Sequence, residues 1–192
     1  MPKTVKQDSP AYQNFVEGQK IVGEHPIFES LLRGASIYSH KETSSFSGER
    51  FAYVCKNGDI NCFIQHRVEP VVWARILAHC LLHLGMNHFV EKEHPQLWNI
   101  ACDLVVEKFL SDLKFGSPCT DFILPPGINN EERLYCRLVD QGIYAVLGTE
   151  YESFGTAGVN ELDMREISKI VPPWQKKDWP KLFARGLHDG VH

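Results

Sequence analysis

The sequence lacks the features that are typical of membrane, secreted and nucleic-acid-binding proteins. Nowhere in its 192 residues is there a run of about 18 apolar residues, the length that spans a bilayer. The polar N-terminus, MPKTVKQDSPAYQNF, has no apolar core of a secretion signal. The 20 Lys and Arg residues are outnumbered by 24 Asp and Glu, which gives little basis for binding phosphates. We therefore expect a cytoplasmic protein that binds neither nucleic acid nor membrane.

The six cysteines are also sparse, with no CxxC pair and no dense framework, so we expect reduced thiols. No internal repeat or low-complexity tract interrupts the chain. With 43% hydrophobic residues the chain can bury a core of ordinary size. We predict one domain over residues 1–148, followed by a tail over 149–192 that packs on the domain or docks a partner. The oligomeric state is left open.

Prolines at favourable positions begin four predicted helices, and Asn130 caps a fifth. These helices are predicted over residues 10–22, 26–34, 70–85, 95–115 and 131–147. The segment FAYVCKNGDINCFI contains two β-prone runs around Asn57-Gly58 and predicts a β-hairpin, preceded by a polar loop over 40–50. In the tail, ELDMREISKIV suggests a helix, and VPPWQKKDWP an irregular segment whose tryptophans pack on the core. Strands followed by helices predict an α+β fold.

The predicted helix after Pro70 is apolar nearly all round, which indicates burial. Its strongly polar residues are Arg75, His79 and His83. Positions four apart lie within about 40° on one helix face, so these residues form one polar stripe. Two histidines one turn apart can present ring nitrogens to a single metal ion. The simpler alternative is a pair of core histidines hydrogen-bonded to their neighbours.

The next predicted helix carries a matching stripe, because Asn99, Asp103 and Glu107 recur at the same spacing among apolar residues. Two buried helices satisfy such groups most simply when the stripes face each other. Histidines opposite carboxylates form a metal site, or at least a buried polar network.

Residues 76–107, ILAHCLLHLGMNHFVEKEHPQLWNIACDLVVE, resemble a bacterial metallopeptidase-type domain family that is often found upstream of a von Willebrand A-like domain. That family's pattern is HExxHxxxxH, then a short polar loop and W-N-I-A-x-D. The hairpin segment NGDINCF and the downstream LPPGINNEERLYCRL are similar to it too, so the resemblance covers about residues 25–140. It implies a zincin-like fold, a small sheet packed on helices with the metal between two of them. We expect no von Willebrand A-like part in this chain.

Carried over residue by residue, the resemblance makes His79 and His83 metal ligands. Asp103 is the preferred third ligand, since it lies twenty residues beyond His83 on the next helix. His88 is the alternative ligand if the chain turns back at Gly85, and otherwise a residue that supports the site or faces a substrate. Asn99 is expected to hold a ligand or a backbone group. Imidazole and carboxylate ligands favour Zn²⁺, with iron, nickel and manganese as the alternatives.

The chief departure from the family pattern is Cys80, which stands where the family has the glutamate of HExxH. That glutamate moves a proton from the metal-bound water to the leaving amine, a contribution of about 10²- to 10⁴-fold. A thiol at this position is a poor substitute. We therefore expect a zinc-binding metallopeptidase-like protein with weak or no activity on peptides, and we expect Cys80 to pack in the core.

Two alternatives stay open at this point. In the first, the protein is an active zinc hydrolase whose base has moved, with Glu107 as the preferred candidate and Glu91 and Glu93 as others. Glu107 could instead add a ligand, or it could simply be a solvated residue near the helix end. In the second alternative, the domain binds no metal, acts by interaction and uses the stripes as a hydrogen-bonded network.

Overall fold

The computed structural model describes residues 9–40, 51–64, 68–118, 127, 129–148 and 177–190. These residues form seven α-helices and one small three-stranded sheet, so the predicted α+β class is confirmed. The helices are α1 (Pro10–Glu24), α2 (Pro26–Gly34), α3 (Pro70–Gly85), α4 (Pro95–Asp112), α5 (Glu131–Gln141), α6 (Ile143–Leu147) and α7 (Trp179–Asp189). The strands are β1 (Ser36–His40), β2 (Ala52–Val54) and β3 (Asp59–Phe63).

The helix starts follow the predicted signals. A proline occupies the first turn of α1, α2, α3 and α4, where its missing N–H costs no hydrogen bond. The hydroxyl of Ser9 accepts a hydrogen bond from the backbone N–H of Tyr12 at 3.2 Å. At the start of α5, Oδ1 of Asn130 accepts from the N–H of Arg133 at 2.9 Å. These side chains satisfy donors that the first helical turn leaves unpaired.

The predicted hairpin is confirmed, since β2 and β3 pair antiparallel around the Asn57-Gly58 turn. Only Gly58 of that dipeptide has a positive φ, at 95°. The sequence did not predict β1, which pairs parallel to β3 and makes the sheet order β1-β3-β2. Its residues, SIYSH, are mostly polar and largely unburied, so they give no clear alternating pattern.

The central helix α3 is buried from Trp73 to Gly85, as its all-round apolar character predicted. One face of the sheet lies on this core, because Ala52, Val54, Ile60 and Cys62 are fully buried in the same cluster. Helix α1 packs against α3 through Gly18, where a Cβ atom would lie 2.5 Å from Cβ of Trp73. A second, smaller core joins α4 to α5.

Two expectations for the C-terminal third are corrected. The helix predicted over 131–147 is two helices, because Gly142 has a φ of 82° and interrupts the ladder between α5 and α6. The segment VPPWQKKDWP is not irregular at its end, where Trp179 begins α7 and Oδ1 of Asp178 accepts from the N–H of Lys181 at 3.1 Å. The predicted helix ELDMREISKIV lies outside the described residues.

Helix α7 packs against α2 and α3. Trp179 is buried against Gly34 and Gly58, so the expectation that a tryptophan of the tail packs on the core is confirmed for this residue. No disulfide joins the five cysteines in the described ranges. None of the helices in those ranges combines the length and apolar character needed to cross a membrane.

The contact between α7 and α2 gives a testable prediction. A Cβ atom on Gly186 would collide with the backbone carbonyl of Ile27. We expect Gly186→Ala to lower the free energy of unfolding by about 1–3 kcal/mol, the usual cost of overpacking. The control is Ala184→Ser on the exposed face of α7, which should change it by no more than about 0.5 kcal/mol. Equal stability of Gly186→Ala and the parent in urea denaturation would contradict this packing.

Candidate metal centre

The polar stripes of α3 and α4 face each other, as the sequence predicted. Arg75 and His79 of α3 contact Glu107 of α4, and His79 and His83 contact Asp103. All five side chains are buried; His83 is completely inaccessible, and His79 and Asp103 are each 1% exposed. The four-residue spacing on both helices therefore places a charged network inside the apolar core.

Three potential ligand atoms converge at the centre of this network. Nε2 of His79 lies 2.9 Å from Nε2 of His83 and 3.4 Å from Oδ1 of Asp103. Nε2 of His83 lies 3.0 Å from the same carboxylate oxygen. Ligands bound tetrahedrally to one zinc ion at usual bond lengths lie about 3.3 Å apart. The three side chains therefore have the chemistry and the spacing to hold a metal ion.

Glu107 determines which nitrogen of His79 can bind an ion. Nδ1 of His79 lies 2.6 Å from Oε1 of Glu107. Because a carboxylate only accepts, the ring donates its Nδ1–H there, and a neutral ring then has its lone pair on Nε2. Metal-binding histidines usually have such a partner, which fixes the ring and raises its basicity. The contact lies on the ring nitrogen that does not face the ligand cluster.

Arg75 holds Glu107 in turn. Nε and Nη2 of Arg75 donate to Oε2 of Glu107 at 3.0 and 2.7 Å. The remaining guanidinium hydrogens reach the carbonyl of Phe115 at 3.0 Å and the hydroxyl of Ser111 at 2.9 Å. Glu107 is only 6% exposed, so the interpretation of this residue as a solvated glutamate at the helix end is wrong.

The ends of both helices place further groups against the network. Just after α4, Lys114 has a φ of 54°. The N–H of Lys114 donates to the backbone carbonyl of Ser111, and the N–H of Phe115 donates to that of Leu110. This Schellman motif turns the Phe115 carbonyl toward Arg75. Just after α3, Asn87 has a φ of 56°. The N–H of Asn87 donates to the backbone carbonyl of Leu84, and the N–H of His88 donates to that of His83, which is a second Schellman motif.

The second motif returns His88 to the site. The sequence placed this turn at Gly85, but the left-handed residue is Asn87, and Gly85 instead gives room to Phe183 of α7. Nδ1 of His88 lies 2.9 Å from Nδ1 of His83, on the opposite side of the His83 ring from Asp103. His88 therefore lies behind a candidate ligand, and the ligand cluster itself consists of His79, His83 and Asp103.

The protonation states of the histidines differ. Burial alone would lower the pKa of His79, but hydrogen bonds to Asp103 and Glu107 and the charges of both carboxylates raise it to about 9. Burial and the neighbouring histidines lower the pKa of His83. Burial and the charge of His79 lower the pKa of His88 to about 3. Without an ion, Arg75 and a protonated His79 together offset the charges of Glu107 and Asp103, while His83 and His88 are neutral.

The other candidate residues lie outside the ligand cluster. Cys80 is fully buried in the apolar core, as predicted. Asn99 is half-buried, one turn before Asp103 on α4. Glu91 and Glu93 are exposed.

The sequence reasoning missed the groups that complete the network. The roles of Ser111 and the Phe115 carbonyl were not predicted, nor was the hydrogen bond from Nε1 of Trp98 to the His88 carbonyl at 2.8 Å. Ser111 could have been found, because it continues the stripe of Asp103 and Glu107 at the same four-residue spacing. The two carbonyl contacts depend on turns that have no sequence pattern of comparable strength.

Comparison with known protein families, curated proteins and solved structures finds no match to this chain. The resemblance of residues 76–107 to a metallopeptidase-type family therefore stays a prediction.

The pairing of Arg75 with Glu107 predicts a large stability effect. We expect Arg75→Met to lower the free energy of unfolding by about 3–5 kcal/mol, because Glu107 would keep a buried charge without its cation. The matched control is Arg33→Met, which removes an exposed pair with Glu29 of the same helix and should cost less than about 1 kcal/mol. Similar losses for both variants in urea denaturation would contradict the buried network.

Proposed function

We propose that this protein is a zinc-binding, metallopeptidase-like protein with a zincin-like domain, in which peptidase activity is weak or lost. His79, His83 and Asp103 hold the ion, and Glu107 and Arg75 support it from behind His79. A peptide or protein is the expected partner, as the family resemblance implies.

The observation that carries this proposal is the convergence of three potential ligand atoms in the core. A neutral His79 whose hydrogen is directed to Glu107 presents the Nε2 lone pair next to the carboxylate of Asp103. Nε2 of His83 lies within 3.0 Å of both groups. Acceptors so close together in a medium of low dielectric constant repel one another unless a cation or a proton lies between them. A divalent metal supplies that charge and binds all three atoms at once.

Zinc suits this set of ligands better than the hard cations do. Two imidazole nitrogens and one carboxylate oxygen form a mixed N/O site, whereas calcium and magnesium prefer oxygen ligands alone. Held by these three side chains, zinc would supply a Lewis acid able to lower the pKa of a bound water.

Three features argue against efficient hydrolysis. Cys80 replaces the glutamate that serves as the base in the family pattern, and its side chain is buried in the apolar core. Glu107, the candidate for a relocated base, contacts the far nitrogen of His79 with one oxygen and Arg75 with the other. The ligand side chains are also buried, with His83 wholly inaccessible, whereas a catalytic metal must admit substrate. The geometry thus supports Glu107 as a residue that holds His79.

One observation favours the metal-free alternative. A proton on His79 can bridge to Asp103 and remove the repulsion within the cluster, and the raised pKa of His79 would keep that proton at neutral pH. In that case the network is a polar core and the protein acts through its surface. The two functions differ in a single measurable quantity, the metal content of the native protein.

The first test of the proposal is elemental analysis of gently purified protein. We expect close to one zinc per chain in the parent and little in His83→Ala or Asp103→Asn, because each substitution removes a ligand. The control is His94→Ala, which replaces an exposed histidine immediately before α4 and should leave the zinc content unchanged. Parent protein that contains no metal and takes up none on incubation with zinc would support the metal-free network instead.

The second test concerns hydrolysis. We expect the parent to show no chelator-sensitive cleavage of peptides. Gain of this cleavage by Cys80→Glu would show that the missing base limits hydrolysis, and an inactive Cys80→Glu would show that burial of the ligands also excludes substrate. Cys80→Gln serves as the control, because glutamine has nearly the same shape as glutamate but cannot act as a base. The gain should be about 10²- to 10⁴-fold over the control, the usual contribution of a general base. Chelator-sensitive cleavage by the parent that Glu107→Gln abolishes would instead establish a relocated base.

A further inference from the structure

His88 is the buried polar residue that the ligand set leaves without a function. It is 1% exposed, and its ring packs edge to face against Trp98 with the ring centres 6.2 Å apart. Its backbone N–H donates to the His83 carbonyl, and its own carbonyl accepts from the indole of Trp98. Packing and backbone hydrogen bonds thus hold the ring beside His83.

The contact between the two imidazoles allows only one direction of hydrogen bonding once an ion is bound. An ion on Nε2 of His83 needs the lone pair of that nitrogen, so the single hydrogen of the neutral ring is on Nδ1. Nδ1 of His88 lies 2.9 Å away and must accept that hydrogen. The hydrogen of His88 is then on Nε2, which is buried and has no hydrogen-bond partner among the described residues.

We propose that His88 is a positioning residue for the metal centre, which accepts a hydrogen bond from Nδ1–H of His83 and thereby holds the Nε2 lone pair of His83 toward the ion. This inference rests on the proposed zinc site. It assigns His88 the role for His83 that Glu107 has for His79. Asp103, whose oxygen lies on the other side of the His83 ring, keeps the place of third ligand.

The acceptors that support His79 and His83 differ in charge. His79 donates to a carboxylate that Arg75 also binds, whereas His83 donates to a neutral ring. A hydrogen bond to a charged acceptor is about twice as strong as one to a neutral acceptor. The orientation of His83 therefore depends more on local packing than that of His79 does. Loss of the acceptor nitrogen of His88 should weaken zinc binding.

Nitrogen NMR of the zinc-loaded parent protein, labelled with ¹⁵N on histidine, tests the proposal directly. We expect protonated Nδ1 and metal-bound Nε2 for His83, and unprotonated Nδ1 with protonated Nε2 for His88. A hydrogen on Nδ1 of His88, or a metal bound to His88, would overturn the inference while leaving the zinc site in place. A parent that binds no zinc would overturn the proposed function, and with it this role for His88.

Two variants separate positioning from packing. His88→Phe keeps an aromatic ring against Trp98 but has no acceptor, and should weaken zinc binding about 10- to 100-fold in competition with a chelating dye. His88→Asn loses the ring but places a carbonyl oxygen near the position of Nδ1, and should restore most of the affinity. His94→Phe controls for a histidine-to-phenylalanine change at an exposed site. Parental zinc affinity in His88→Phe, or equal weakening in both His88 variants, would contradict the proposed role.

Discussion

The structure depends on the buried contact of α3 with α4, in which Arg75, Glu107 and His79 form one continuous chain of hydrogen bonds. Each group would be costly to bury alone, because desolvation of a charge in the core is repaid only by a close partner. Glu107 satisfies this condition from both sides, since one oxygen faces the guanidinium and the other faces the imidazole. Burial by itself would raise the pKa of Glu107, but the hydrogen bond and charge of His79 and the charge of Arg75 lower it. The polar contact thereby favours one axial register of two helices whose other buried side chains are mostly apolar.

The same register brings the candidate ligands together. One turn along α3 from Arg75 comes His79, and one turn further comes His83, while Asp103 precedes Glu107 by one turn on α4. Once Arg75 is fixed against Glu107, Asp103 must lie opposite the two histidines. The ion pair and the ligand cluster are thus parts of one arrangement. Two left-handed residues, Asn87 and Lys114, complete it by returning His88 and the Phe115 carbonyl to the same interior. Such a backbone conformation is unusual for residues other than glycine, and it ends each helix where a partner for the network is needed.

Much of the fold was predictable from local signals. Prolines mark the starts of α1 to α4, the cap of α5 follows from Asn130, and the hairpin follows from Asn57-Gly58, because each signal acts within a few residues. The local signals did not predict β1, the break between α5 and α6 at Gly142 or the start of α7. Strand β1 has little apolar alternation and gains its hydrogen bonds from β3, over twenty residues away. Trp179 begins a helix in a segment whose three prolines and two tryptophans suggested irregular structure. Its burial against Gly34 and Gly58 stabilises the helix in a way that no local sequence pattern indicates.

For the site, the sequence by itself determined which residues share a helix face, because a four-residue period on a buried helix leaves no other arrangement for Arg75, His79 and His83, or for Asp103 and Glu107. It also determined that Cys80 stands next to the first histidine. Only the tertiary structure decided which atoms meet. It directs Glu107 to the far nitrogen of His79, turns His88 behind His83, and leaves Oδ1 of Asp103 as the third convergent ligand atom. These assignments depend on helix crossing, on ring orientation and on two helix-ending turns, and such quantities are set by packing between segments.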